Sequence, residues 1–177
     1  MFILDFIRNF VPWFFLKVEN HGLFTISFKG LPLGSSVFDW VIDGDFFARY
    51  ETSEINDASI DAQVTLIKHT RFLELDFALN GWAEVICDRC LDPLKLELDA
   101  KAKLIVKIGE GASENDSDDD DVIFLLSGED RIDVAQYLYE YAHLNLPLRR
   151  VHPDDENGNS ACNAEMISKL KQYLIDN

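Results

Sequence analysis

The stretch Leu73-Glu74-Leu75-Asp76-Phe77-Ala78-Leu79 alternates apolar and polar side chains, and Ile60-Asp61-Ala62-Gln63-Val64-Thr65-Leu66 does the same a few residues earlier. Alternation with a period of two is typical of a β-strand that has one buried and one solvated face. The connection between the two runs, around His69-Thr70, is short. The sequence therefore predicts that these runs form an antiparallel pair of strands.

Further strands are predicted on both sides of this pair, at residues 23–28, 38–43, 82–86, 94–99 and 104–108. The dipeptide Asn80-Gly81 is a typical two-residue hairpin turn, so it is expected to reverse the chain before Trp82. From Ile132 to Leu146 the apolar residues recur at helical spacing, and a last helix is predicted near Asn163. The predicted fold class is α+β, an antiparallel sheet with barrel closure as one option, followed by two C-terminal helices.

Charge limits the partners that this chain can have. It carries 16 Lys plus Arg against 32 Asp plus Glu, a net charge of −16 in 177 residues. Such a surface repels phosphate backbones over most of its area. Any contact with nucleic acid is therefore expected to be local, or to be made through a basic partner. The length and the 47% hydrophobic content suit one domain over residues 18–177.

Residues 1–17, MFILDFIRNFVPWFFLK, differ from the rest because they are unusually rich in phenylalanine. They are too short and too charged for a membrane span, and no small-residue cleavage site follows. Three interpretations stay open: an upstream extension, a short helix docked on the body, and a membrane contact or uncleaved signal. Residues 111–121, GASENDSDDDD, predict a solvated acidic loop.

The motif Cys87-Asp88-Arg89-Cys90 ends an apolar run, and His152 and Cys162 follow about 60 residues later. A Cys-x-x-Cys turn lets both sulfurs face one point, and Cys₃His is a common tetrahedral set for structural zinc. The competing interpretation is that the cysteines are small buried residues and that His152 lies in an ordinary turn. Zinc binding by Cys87, Cys90, His152 and Cys162 is the main hypothesis.

A thiol redox pair formed by Cys87 and Cys90 is the alternative from another functional class. Redox pairs of this kind lie where a strand leads into a helix, because the helix N-terminus lowers the pKa of the attacking thiol. Here Pro93 and alternating leucines follow instead. No phosphate-binding glycine loop, nucleophile elbow or HExxH motif is present. The chain is therefore predicted not to be an enzyme.

Arg149 and Arg150 are the only adjacent basic pair, directly before the candidate ligand His152. Together with Arg89 they are expected to form a small basic face beside the zinc turn, which contacts RNA or a partner. Alternatively, they are solvated or paired with carboxylates. An odd number of cysteines and the lack of a convincing secretory signal favour a reducing cytosol.

The order of these motifs resembles the YceD family, the large ribosomal RNA subunit accumulation proteins. The resemblance rests on Cys87-x-Arg89-Cys90-Leu91-x-Pro93, Leu146-Pro147-Leu148, and Val151-His152 followed by an acidic segment and Cys162. It covers roughly residues 18–175. The resemblance implies a bacterial cytoplasmic, non-enzymatic ribosome-biogenesis factor that supports accumulation or processing of large-subunit ribosomal RNA. Its expected partner is ribosomal RNA, a pre-ribosomal particle or a basic ribosomal protein.

Overall fold

A computed structural model describes residues 18–19, 24–109, 121–154, 158 and 160–175. The strands are β1 (Val18–Glu19), β2 (Thr25–Ser27), β3 (Gly34–Asp43), β4 (Asp57–Lys68), β5 (Phe72–Ile86), β6 (Pro93–Ile108), β7 (Val122–Leu125) and β8 (Arg131–Asp133). The helices are α1 (Gly44–Phe47), α2 (Ala135–Leu144) and α3 (Ala164–Ile175). The predictions for residues 1–17 and for nearly all of the acidic segment 111–121 fall outside the described residues and stay predictions.

The central antiparallel pair is confirmed. Strands β4 and β5 pair with Val64 opposite Phe77, and their connection at residues 69–71 is as short as the sequence predicts. Strand β5 then pairs antiparallel with β6 over its whole length, from Phe72 opposite Lys107 to Ile86 opposite Pro93. This long β5–β6 hairpin is the feature that positions the candidate site, because its turn contains the Cys-x-x-Cys motif.

The sheet is open, so barrel closure is a wrong prediction. Its strand order is β1-β3-β4-β5-β6-β7, and the two outer strands do not pair with each other. The sheet is also mixed, since β1 and β7 lie parallel to their neighbours. A parallel neighbour requires a connection longer than a hairpin turn, and residues 109–121 separate β6 from β7. Strands β2 and β8 form a separate two-stranded sheet.

The turn predicted at Asn80-Gly81 does not exist, because both residues lie inside β5. Gly81 pairs with Ile60 on one side and Leu98 on the other. The buried positions of β5 keep the same parity before and after Gly81: Leu73, Leu75, Phe77, Leu79, Ala83 and Val85. A hairpin turn at Asn80-Gly81 would end the strand there, so one alternation of buried residues would not continue across it. The unbroken period of two was the sequence signal that competed with the Asn-Gly signal.

One face of the sheet forms the core. Alternate side chains of β4, β5 and β6 are buried, and α2 packs on them through contacts such as Phe77 with Tyr141, whose ring centroids lie 5.0 Å apart. Two C-terminal helices are present as predicted, but α2 begins at Ala135, and Ile132 belongs to β8, opposite Ile26. None of the described helices combines the length and apolar character that a membrane crossing requires.

Candidate metal centre

The Cys-x-x-Cys motif forms the tight turn between β5 and β6. The backbone N–H of Leu91 donates to the carbonyl of Cys87 at 3.0 Å, and that of Cys87 donates to Asp92 at 2.9 Å. Leu91 adopts a φ of 64°, in the left-handed region, which closes the turn after Cys90. The motif thus lies between two strands, and no helix follows it.

The segment before His152 is joined to this turn by two hydrogen bonds, one between backbone groups and one from the backbone to a side chain. The N–H of Asp88 donates to the carbonyl of Arg150 at 2.7 Å, and the N–H of Arg150 donates to the Asp88 carboxylate at 2.7 Å. Two residues further on, His152 Nε2 lies 3.1 Å from the carbonyl of Pro93. Since a carbonyl only accepts, Nε2 carries a proton, so in the neutral form of the ring the Nδ1 lone pair faces the cysteines. The hydrogen bond with Cys162 raises the pKa of His152.

Cys162 lies two residues before the start of α3. The next residue, Asn163, caps this helix, because its Oδ1 accepts from the N–H groups of Glu165 at 3.1 Å and Met166 at 3.4 Å. Its Nδ2 donates to the Asp92 carboxylate at 3.1 Å. One side chain therefore begins the helix and ties it to the Cys-x-x-Cys turn, which holds Cys162 beside Cys87.

The four predicted ligands converge. One ligand atom from each of Cys87, Cys90, His152 and Cys162 lies within 4.8 Å of all the others. The sulfurs of Cys87 and Cys162 are 3.8 Å apart, and His152 Nδ1 lies 3.4 Å from the Cys90 sulfur and 3.8 Å from the Cys162 sulfur. All three cysteines are free and buried. We refer to these four residues as the Cys₃His cluster.

The surroundings of Cys87 favour its thiolate. Burial opposes ionisation, but the backbone N–H groups of Cys90, Arg89 and His152 directed at the sulfur outweigh it and lower the pKa of Cys87 to about 6. By contrast, burial raises the pKa of Cys90. A hydrogen bond with Ser160 lowers the pKa of Cys162. A cation at the centre of the cluster would favour all three thiolates together.

The three arginines of the predicted basic face differ in their contacts and exposure. Arg150 forms a bidentate pair with Glu54, at 2.7 and 3.1 Å, and lies near Asp88. Arg89 donates to the Ser160 hydroxyl at 2.6 Å and lies 3.6 Å from the Asp154 carboxylate. Arg149 is exposed, and it lines a shallow groove with Arg89 next to the cluster. Arg89 and Arg150 are therefore held by polar contacts beside the cluster.

Several supporting residues were not recognised from the sequence. Glu54 and Asp88 hold Arg150, and Asn163 joins α3 to the turn. Asn163 could have been found, because asparagine directly before a helical pattern is a capping signal. Glu54 gives no such signal, since its partner is 96 residues away.

The fold and site define an α+β protein with one mixed sheet and a Cys₃His cluster at the turn of its longest hairpin. The family model described as large ribosomal RNA subunit accumulation protein YceD matches residues 75–172, which is more than half of the 177 residues. The chain therefore belongs to the YceD family, as the motif order indicated. The matched range contains all four cluster residues. No curated protein and no solved structure matches the chain.

Proposed function

We propose that the Cys₃His cluster binds one zinc ion that holds three separate parts of the chain together. The distances between the ligand atoms support this assignment. Zinc bound to sulfur at about 2.3 Å and to nitrogen at about 2.0–2.1 Å gives tetrahedral edges of about 3.8 Å between sulfurs and about 3.6 Å between sulfur and nitrogen. Three of the six separations, 3.8, 3.4 and 3.8 Å, are close to these edges, and all six are within 4.8 Å.

The second contacts of His152 and Cys87 also suit a metal. His152 donates Nε2–H to a carbonyl, the arrangement that fixes the tautomer and orientation of most metal-binding histidines. Backbone N–H groups already stabilise the Cys87 thiolate. The set is closed, with four protein ligands, which is typical of structural rather than catalytic zinc.

Elemental analysis of untagged full-length protein should find about one zinc per chain. Cys90→Ser and His152→Gln should each lose the metal, because three ligands bind zinc much more weakly than four. His69→Gln is the matched control, since His69 lies outside the cluster, and it should keep full occupancy. Metal-free wild-type protein with three freely titratable thiols would contradict the zinc assignment.

Membership of the YceD family supports the second part of the proposal, a role in accumulation of large-subunit ribosomal RNA in the cytoplasm. The protein acts without catalysis, as a factor that contacts RNA or a precursor of the large subunit. Of the three arginines beside the cluster, Arg149 is the one that forms no ion pair with a described residue, and we assign the contact to it. Arg89 and Arg150 would first have to release Asp154 and Glu54.

Deletion of the gene should lower mature large-subunit RNA relative to small-subunit RNA, and the wild-type gene should restore the ratio. Arg149→Glu tests the contact beside the cluster more cleanly than any change of Arg150, whose loss would also break the Glu54 pair. We expect Arg149→Glu to restore the ratio only in part. An unchanged ratio in the deletion strain would contradict the role itself.

The thiol redox alternative is disfavoured by burial of the cysteines. The exposed fractions of Cys87, Cys90 and Cys162 are 0%, 1% and 7%. Thiol–disulfide exchange requires access of a second disulfide to the attacking sulfur. The low pKa of Cys87 is common to reactive thiols and to metal ligands, so the measurement of zinc separates the two functions.

A further inference from the structure

A broad pocket lies at the end of the β5–β6 hairpin opposite the Cys₃His cluster. It surrounds Phe72 and Lys107, which pair with each other, whereas the cluster follows the pair Ile86 and Pro93. At about 3.3 Å per residue, the length of β5 separates the two sites by roughly 45 Å. The pocket therefore belongs to a different surface from the cluster and from Arg149.

The charge of this pocket is opposite to that of the chain. Lys29, Lys68, Arg71 and Lys107 line it, and Glu129 is the one carboxylate among its lining residues. The whole chain has twice as many acids as bases, 32 against 16. A quarter of all its lysines and arginines thus lies around one concave surface, which concentrates a local positive field in a protein that is otherwise acidic.

One of these cations builds the pocket wall. Lys68 Nζ donates to the carbonyls of Phe28, Lys29 and Leu31, at 2.9, 3.2 and 2.8 Å. All three of its protons are used, so Lys68 fixes the loop that carries Lys29. The side chains of Lys29, Arg71 and Lys107 are exposed. Within the described part of the chain, no ion pair involves any of these three.

Two nearby carboxylates are already occupied, whereas Glu129, which lines the pocket, forms no ion pair with a described residue. Asp130 pairs with Arg131 at 3.0 Å, and Glu74 pairs with Lys103. Neither of these acids lines the pocket. The three exposed cations are therefore available to an anionic ligand without the loss of a described ion pair.

An aromatic stack adjoins these cations. The rings of His69 and Phe72 lie 4.2 Å apart at 19°. The His69 side chain is 39% exposed, and its Nε2 lies 3.6 Å from a Glu74 carboxylate oxygen. Unpaired nucleotides bind to cations that contact the phosphate backbone and to an accessible aromatic face on which a base stacks. Half-buried His69 has one ring face against Phe72, so only the other face could take a base. The pocket measures about 1380 Å³, above the roughly 300–1,000 Å³ of small-molecule sites. Its size suits an extended chain.

We propose that this pocket binds single-stranded RNA, with Lys29, Arg71 and Lys107 contacting phosphates and His69 stacking on a base. The inference rests on the proposed function and deepens it, because it adds a second RNA contact, at the end of the hairpin opposite the cluster and Arg149. An acidic peptide is the competing ligand, since it would use the same cations. It would not require an exposed aromatic ring.

The test is a titration of full-length protein with a fluorescent twelve-nucleotide oligouridine at several salt concentrations. Lys29→Glu combined with Arg71→Glu should weaken binding about tenfold or more. It should also reduce the slope of log affinity against log salt by about 1.4, for two lost phosphate contacts on a single strand. Arg49→Glu combined with Lys101→Glu is the matched control, since both residues are exposed outside the pocket, and it should stay within about twofold of wild type.

His69→Ala separates stacking from charge. It should weaken binding about fivefold or more and leave the salt slope unchanged. Equal loss in the pocket and control double variants would overturn the proposal, as would wild-type protein that fails to bind oligouridine. A polyglutamate peptide that binds at Lys29 and Arg71 when oligouridine does not would assign the pocket to an acidic protein partner instead.

Complementation distinguishes this inference from the proposed function. If deletion lowers the large-subunit RNA ratio and the Lys29→Glu, Arg71→Glu variant fully restores it, the pocket proposal fails and the proposed function stands. If the variant binds oligouridine poorly and fails to restore the ratio, both are supported.

Discussion

Leu91 is the residue at which the cluster turn stores backbone strain. It is the one described non-glycine residue with a positive φ, at 64°. For an L-residue this conformation costs about 1–2 kcal/mol. The side chain is 63% exposed, so packing provides little compensation. The strain is a consequence of closing the turn tightly enough for Cys87 and Cys90 to face the same point.

Leu91→Gly should therefore leave stability unchanged or raise the free energy of unfolding by up to about 1 kcal/mol. Relief of strain outweighs the extra flexibility of glycine in the unfolded chain, about 0.5–1 kcal/mol. Urea unfolding measures the difference. Leu126→Gly is the control, because Leu126 is similarly exposed but has no positive φ, and it should destabilise. Equal losses in both variants would contradict strain at Leu91.

At the scale of the elements, β5 depends on a close approach to β4 at Gly81. A Cβ atom added there would lie 2.1 Å from the Ser59 carbonyl oxygen and 2.9 Å from the Ile60 Cα. Both are backbone atoms of the neighbouring strand, so neither can move without disturbing the sheet. Glycine at this point lets β4, β5 and β6 stay in register along the whole hairpin.

Gly81→Ala should lower the free energy of unfolding by about 2–3 kcal/mol, since the added methyl group forces the strands apart. Denaturant titration of metal-loaded protein checks the value. Gly30→Ala provides the comparison, because nothing lies within 4 Å of a Cβ at Gly30, and it should change stability by less than about 0.5 kcal/mol. Tolerance of alanine at Gly81 would show that β5 is interrupted there.

For the whole molecule, the Cys₃His cluster links the turn of the β5–β6 hairpin to the segment before His152 and to the start of α3. Outside the cluster, these parts are joined by a few backbone and side-chain hydrogen bonds, such as Asn163 with Asp92. Binding of a metal to the folded state alone would add its free energy to folding. The stability of the C-terminal part is therefore expected to depend on zinc.

Removal of zinc by a strong chelator should lower Tm by roughly 8–16 °C. Free zinc at about 1,000 times Kd stabilises by about 4 kcal/mol, and each kcal/mol shifts Tm by about 2–4 °C in a chain of this length. Scanning calorimetry with and without chelator measures the shift. Cys90→Ser should melt at the lower temperature and show no response to chelator. An identical Tm with and without chelator in the wild type would contradict a structural metal.

Local sequence patterns were enough to predict the central strand pair and the four candidate ligands. The period of two in residues 60–66 and 73–79 fixes both the strands and their buried face, because it depends only on neighbouring residues. The motif order from Cys87 to Cys162 identified the family. The convergence of the four side chains could be expected from their chemistry, but the distances between their ligand atoms could not.

Three features depend on contacts between distant parts of the chain: whether the sheet closes, whether the chain turns at Asn80-Gly81, and which arginines are free of ion pairs with described residues. The local turn signal of Asn80-Gly81 competes with the pairing of β5 to β4 and β6. The pairing to both neighbours prevails, and the strand continues. Arg150 is held by Glu54 from 96 positions earlier, a contact that no local pattern encodes. The basic pocket likewise gathers Lys29, Arg71 and Lys107 from distant strands and loops, since charge clustering in space depends on how the chain folds, not on spacing along it.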